Sequence, residues 1–128
     1  MAHMTHTELA VKRFDSPDET REFKDGMGRA EIVRIGDRTA SRSTFKPGWK
    51  WSLHVKPIAQ TDSCEVFHLG MMQSGRMRVT MDDGQTIELG PGDVCAIPPE
   101  HDAEVLGDAE CVLIDFGDMA EYAKPHDD

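Results

Sequence analysis

The chain is predicted to be an all-β domain, a sandwich or barrel, and three observations carry that expectation. Turn dipeptides recur at short, fairly even intervals: Gly36-Asp37, Pro47-Gly48, Asp83-Gly84, Pro91-Gly92, Pro98-Pro99 and Gly107-Asp108. The segments between them have the length of strands, and their side chains divide into two faces with a period of two. At 128 residues the chain has room for one domain and can build a single core without staples. The expected organisation is an N-terminal arm and short helix over 1–28, a barrel over 29–118 and a polar tail over 119–128.

Element by element, the opening Met1-Ala2-His3-Met4 reads in part as a cloning remnant, which takes His3 and His6 out of consideration as ligands. Ser16-Pro17-Asp18-Glu19 then reads as a helix start, with a serine cap, proline in the first turn and a glutamate three residues after the cap. That helix should end near Gly26. Residues 49–56 read as a strand, Trp49, Trp51, Leu53 and Val55 on one face and Lys50, Ser52, His54 and Lys56 on the other. Residues 64–72 and 109–116 are apolar on both faces, which implies cover on both sides, from a second sheet or from a partner chain. Residues 122–128 are polar and should fray.

Composition narrows the partners. Asp and Glu number 24 against 14 Lys and Arg, a formal net charge of -10, which repels phosphate backbones and anionic lipid heads. Nucleic acid and membrane are therefore not expected as partners. Neither a signal-peptide pattern nor an apolar run of spanning length is present, so the expected compartment is the cytoplasm. Three cysteines, Cys64, Cys95 and Cys111, cannot all pair and are read as thiols.

The residues with chemistry to offer are His54, His68 and His101, each on a separate strand-like segment. Imidazoles converging from separate strands make a site for a divalent ion such as Zn, Fe, Mn or Ni. Their spacing resembles the cupin superfamily. Its first motif runs Gly, five residues, His-x-His, a short gap, Glu, six residues, Gly. Here Gly48 stands five residues ahead of His54 and His68 stands six ahead of Gly75, while Lys56 replaces the second His and His68 takes the Glu position. The gap over residues 55–67 is longer than the family's. The second motif is matched from Gly92 to Pro98, after Gly90-Pro91, with Glu100 in place of a glycine and His101 two residues before the usual His position, held by Ala103. The resemblance covers about half of the chain and is most specific over 74–102. It implies a cupin-type double-stranded β-helix, a jelly-roll barrel with a metal pocket in its mouth, here with a short N-terminal helix.

If His54 faces the pocket as that motif implies, Trp49, Trp51 and Leu53 form an outer face that needs a second chain to cover it, so a homodimer is expected. A shift of two residues keeps a strand side chain on its face, so His101 can still point inward. Cys64 lies four residues before His68, about 13 Å along an extended strand, too far to share an ion unless the chain bends after Ser63. It is either a fourth ligand or a small buried side chain. Lys56 and Arg78 are candidates for holding an anionic substrate, or else solvated charges. Met72 either lines the ligand pocket or fills the core. Two functions follow: metal-dependent oxidation or isomerisation of a small organic substrate, or binding of a small ligand or metal without turnover.

Overall fold

The computed structural model describes residues 8–124, and nine strands dominate it: β1 Glu19–Glu22, β2 Gly28–Ile35, β3 Arg38–Phe45, β4 His68–Ser74, β5 Arg76–Met81, β6 Thr86–Leu89, β7 Val94–Ile97, β8 His101–Leu106 and β9 Cys111–Asp115. Two short helices, α1 Trp51–His54 and α2 Lys56–Ala59, link β3 to β4. Six strands form one antiparallel sheet in the order β1-β2-β3-β9-β4-β7, and β6-β5-β8 form the other. β9, the last strand among the described residues, is inserted between β3 and β4, the return connection that closes a jelly roll. The positive φ of Gly36, Gly48, Gly84, Gly92 and Gly107 places the expected turns where only glycine is unstrained.

The core fills the space between the sheets. From the large sheet come Ala30, Phe45, Met72 and Leu113, and from the small one Met77, Val79, Leu89 and Val105, all buried. Phe23, Phe45 and Trp49 stack at one end, with ring centroids 5.5 Å apart for the phenylalanine pair and 4.4 Å for Phe45 and Trp49. Such aromatic packing adds area burial and about 1 kcal/mol per pair.

Expectations for four segments are corrected. The N-terminal helix does not form: its first half is β1, paired with β2 from Glu19 opposite Ile32 to Glu22 opposite Arg29, and a single 3-10 turn over Lys24–Gly26 follows. A helix that short is marginal alone, and the side chains that looked like helix caps serve other partners. Glu19 binds Arg21 and Arg34, while the Asp18 carboxylate accepts from the Arg34 amide and Lys12.

Residues 51–59 are helical, not a strand. Trp51, Val55 and Ala59 follow one another at four-residue steps and are all buried, whereas Leu53 is exposed. Trp49 and Trp51 are each only 2% exposed, so the tryptophan face that argued for a partner chain is covered by the chain itself. Finally, β4 begins at His68, and the stretch before it is bent, with Cys64 bridged instead to His101 on β8. Tyr122 and Ala123, expected in a frayed tail, are buried; residues 1–7, with His3 and His6, and 125–128 lie outside the described residues.

Candidate metal centre

Cys64, His68 and His101 meet inside the barrel. Their donor atoms all lie within 4.8 Å of one another, and all three side chains are buried. Each arrives for a local reason. His68 opens β4 on the inward face that continues through Gly70 and Met72. His101 opens β8 on the inward face shared by Ala103 and Val105, so the two-residue displacement from the family's position keeps the ring inside, as expected. Cys64 is brought in by the bend before β4: its amide donates to the His101 carbonyl at 2.7 Å, and its own carbonyl accepts from the Glu100 amide at 2.6 Å. Glu100, where the motif has glycine, adopts φ 77°, the left-handed conformation that glycine favours.

The hydrogen bonds select the tautomers. His68 Nδ1 lies 2.6 Å from Asp115 Oδ2 and His101 Nδ1 lies 2.7 Å from the Pro98 carbonyl. A carboxylate and a carbonyl only accept, so both Nδ1 atoms carry the hydrogen and donate, which leaves Nε2 as the free donor atom of each ring when neutral. His68 Nε2 stands 3.7 Å from Cys64 Sγ. A tetrahedral ion with sulfur at about 2.3 Å and nitrogen at about 2.0 Å separates such donors by about 3.6 Å, so a thiolate and two imidazoles here fit Zn or another borderline-soft divalent ion.

Asp115 orders this arrangement. It is fully buried on the inward face of β9, and its Oδ1 accepts from the amides of Leu69 at 3.2 Å and Gly117 at 2.8 Å while Oδ2 takes His68. Gly70 stands opposite Asp115 in the register, and a Cβ there would collide with the Ile114 carbonyl oxygen and lie 3.3 Å from the Asp115 Cα. Only glycine lets β4 and β9 approach this closely at the ring. Gly70→Ala is therefore expected to cost about 3 kcal/mol and lower the Tm by roughly 10 °C in a calorimetric scan.

Charge is concentrated on the group. Burial would lower the His68 pKa, but the hydrogen bond to Asp115, aided by Cys64, outweighs it and pushes the imidazolium up to about 9. For Cys64 burial acts upward, yet the hydrogen bonds of His101 and His68 prevail and bring the thiol down to about 7. The Tyr122 ring packs edge-on against His68 with centroids 5.5 Å apart, and burial, then the charges of Cys64 and Asp115, push its phenol well above the usual range. Arg21 holds this segment in place, its Nη1 donating to the carbonyls of Met119 and Tyr122.

The remaining sequence candidates stand apart from this group. His54 ends α1, and its Nδ1 lies 3.0 Å from the Lys50 amide, the role of a local cap. Lys56 opens α2, half-buried. Arg78 is on the outer face of β5, opposite Glu88 and paired with it at 3.2 Å, while Met77 and Val79 of the same strand face the core. Met72 is wholly buried and packs in the core. Cys95 and Cys111 are free and buried, and burial pushes both thiols up, Cys111 to about 11. Sequence reasoning missed Asp115 and Tyr122. The available signal was an acid on the otherwise apolar face Cys111, Leu113, Asp115.

The fold is that of the cupins. A Cupin 2 conserved barrel domain protein from Salinispora arenicola superposes with a TM-score of 0.55 at 15% identity, over 91% of this chain and 92% of that one. A conserved protein with a double-stranded β-helix domain from Klebsiella pneumoniae gives 0.58 at 17%, over 86% and 90%. The Fe(II) form of HppE gives 0.62 at 7%, over 88% of this chain and 64% of that one. No family model matches the chain, and no curated protein does. Among the described residues no helix is long and apolar enough to cross a membrane.

Proposed function

We propose that this protein is a metal-binding cupin in which Cys64, His68 and His101 hold one divalent ion and leave a coordination position to a small organic ligand. The observation that carries the reading is the pairing of three converged donors with a fixed acceptor behind each imidazole. Hydrogen bonds of that kind orient metal-bound histidines and raise their basicity, and a purely structural cluster does not need both. The thiolate favours Zn or Fe over Mn. The Fe(II) state of HppE supports the fold as a frame for iron.

When bound, the ion supplies Lewis-acid or redox chemistry for oxidation or isomerisation of the ligand. The protein's own contribution is to keep Nε2 of both rings aimed at the ion, to hold the thiol near its ionised form, and to exclude water beneath Tyr122. The burial of all three donors favours a second reading, a metal held for ligand sensing without turnover. In either case we place the protein in the cytoplasm, consistent with three free thiols, and read it as a homodimer, for which the exposed apolar side chains of Leu69, Met71, Val94 and Phe116 are the support.

Elemental mass spectrometry on untagged protein is expected to find about one ion per chain, and His68→Ala is expected to lose it. Wild type still empty after incubation with Zn, Fe, Mn and Ni overturns the metal reading. Cobalt substitution separates the two functional readings: a visible spectrum that changes on adding azide reports an open position, and one that does not respond favours the closed sensor.

A further inference from the structure

We infer that residues 119–123 occupy a ligand subsite inside the barrel, and that a carboxylic acid of the 3-arylpropanoate kind displaces them to bind there. The direction of its ring, towards the metal centre, rests on the proposed function.

A hollow is built into the inner face of the large sheet. In register, Arg21 stands opposite Ala30 and Ala30 opposite Ser43; two residues along, Ser41 stands opposite Asp115 and Asp115 opposite Gly70. Ala30, Ser41, Ser43 and Gly70 are small, so the middle of this face recedes. Ser41 and Ser43 are 0% and 1% exposed, and neither hydroxyl has a hydrogen-bond partner among the described residues. Buried hydroxyls are nearly always paired, and an unpaired one is costly. Two of them on one strand, aimed into one hollow, point to a ligand that carries oxygen.

The chain's own residues fill that hollow. A 3-10 turn over Met119–Glu121 leads to Tyr122, and both Met119 and Tyr122 are buried. Arg21, itself buried, donates from Nη1 to the Tyr122 carbonyl at 2.7 Å and to the Met119 carbonyl at 3.3 Å. The Tyr122 ring stands edge-on to Phe23 and to His68, with centroids 6.0 and 5.5 Å apart. From carbonyl to ring, Tyr122 thus spans the gap between a guanidinium and a metal-binding imidazole. A carbonyl carbon, two further carbons and an aromatic ring make up that span, which is the skeleton of a 3-arylpropanoate.

A free acid holds Arg21 better than the segment does. Its carboxylate gives Nη1 charged acceptors in place of neutral carbonyls, and charge-assisted hydrogen bonds are roughly twice as strong. Glu19 takes Nε and Nη2 of Arg21 but is shared with Arg34, so these three side chains keep a net positive charge. Ser43, next in the row after Ala30, is placed to donate to the acid. The segment is also exchangeable: among the described residues, its hydrogen bonds to the strands are those of Arg21, and Ala123 is strained at φ 52°.

Calorimetric titration of the full chain with 3-phenylpropanoate is expected to show binding, and amide exchange over 119–123 to quicken at least about tenfold in its presence. Tyr122→Ala removes the competing ring and should bind the acid at least about tenfold more tightly, a gain that the loss of a merely structural side chain would not bring. Ser43→Ala should weaken binding about tenfold without lowering the Tm, because an unpaired hydroxyl stabilises nothing. 3-Phenylpropan-1-ol, the same frame without the carboxylate, should bind at least about tenfold more weakly than the acid. Failure of the acid to bind both wild type and Tyr122→Ala overturns the subsite, and so does binding that leaves exchange over 119–123 unchanged. Zinc-loaded protein that ignores the acid overturns the subsite alone. Protein that binds the acid but takes up no metal upholds the subsite and overturns the metal reading.

Discussion

Asp115→Asn is expected to leave the barrel folded while lowering its metal affinity by about 100-fold, and Asp115→Ala to lower both. The difference lies in which hydrogen bonds each replacement can keep. An asparagine carbonyl can still accept from the Leu69 and Gly117 amides, which Asp115 Oδ1 now holds at 3.2 and 2.8 Å. Its amide nitrogen, however, then faces His68 Nδ1 and can only donate. The ring must answer with the other tautomer, placing its hydrogen on Nε2, the atom an ion requires. Alanine instead strands the Leu69 and Gly117 amides and the buried ring nitrogen without the acceptor they now share. Breaking a buried charge network of this kind costs about 4 kcal/mol, a large part of the stability of a domain this size. Urea unfolding of the metal-free proteins and cobalt titration of the folded ones measure the two effects separately. If Asp115→Asn binds metal as wild type does, Asp115 does not orient the ring.

How much of this was legible in the sequence depended on how local each cause was. The turns were readable because a positive φ at Gly36, Gly48 or Gly92 is a requirement of single residues. The N-terminal helix was misread because its capping signals are local whereas the competing partner, β2, pairs through tertiary structure. Residues 49–56 were misread because apolar residues two apart also include residues four apart: Trp51 and Val55 fit a strand face and a helix face alike, and Ala59 decides for the helix. His68 and His101 were candidates on family spacing, and the fold brings them together. The place of Cys64 depended on a bend that no spacing rule contains, although the need for such a bend was evident from the length of an extended strand. His54 showed the opposite weakness, a matching spacing on a segment that is helical, where its ring bonds its own turn.

Metal affinity should climb steeply with pH, with two slopes. An ion competes with protons for His68 Nε2 and Cys64 Sγ, so binding releases whatever protons those atoms carry. Burial opposes charge on His68, but Asp115 and then Cys64 raise its pKa to about 9; on Cys64 burial opposes ionisation, but His101 and His68 lower it to about 7. Between about pH 7 and pH 9 His68 is the one of these two groups that must give up a proton, which makes affinity rise about tenfold per unit. Below about pH 7 the thiol is protonated as well, and the dependence approaches about a hundredfold per unit. The metal-free protein should show the complementary signs. The raised His68 pKa stabilises the fold below its unfolded value and ceases to do so as pH passes about 9, while the lowered Cys64 pKa stabilises above its unfolded value and is lost as pH falls through about 7. The thiolate and imidazolium therefore coexist between those limits. Calorimetric titration of Zn in buffers of different ionisation enthalpy counts the protons directly: about one released at pH 8 and about two at pH 6. An equal count at both pH values would mean that Cys64 keeps an ordinary thiol or takes no part in binding.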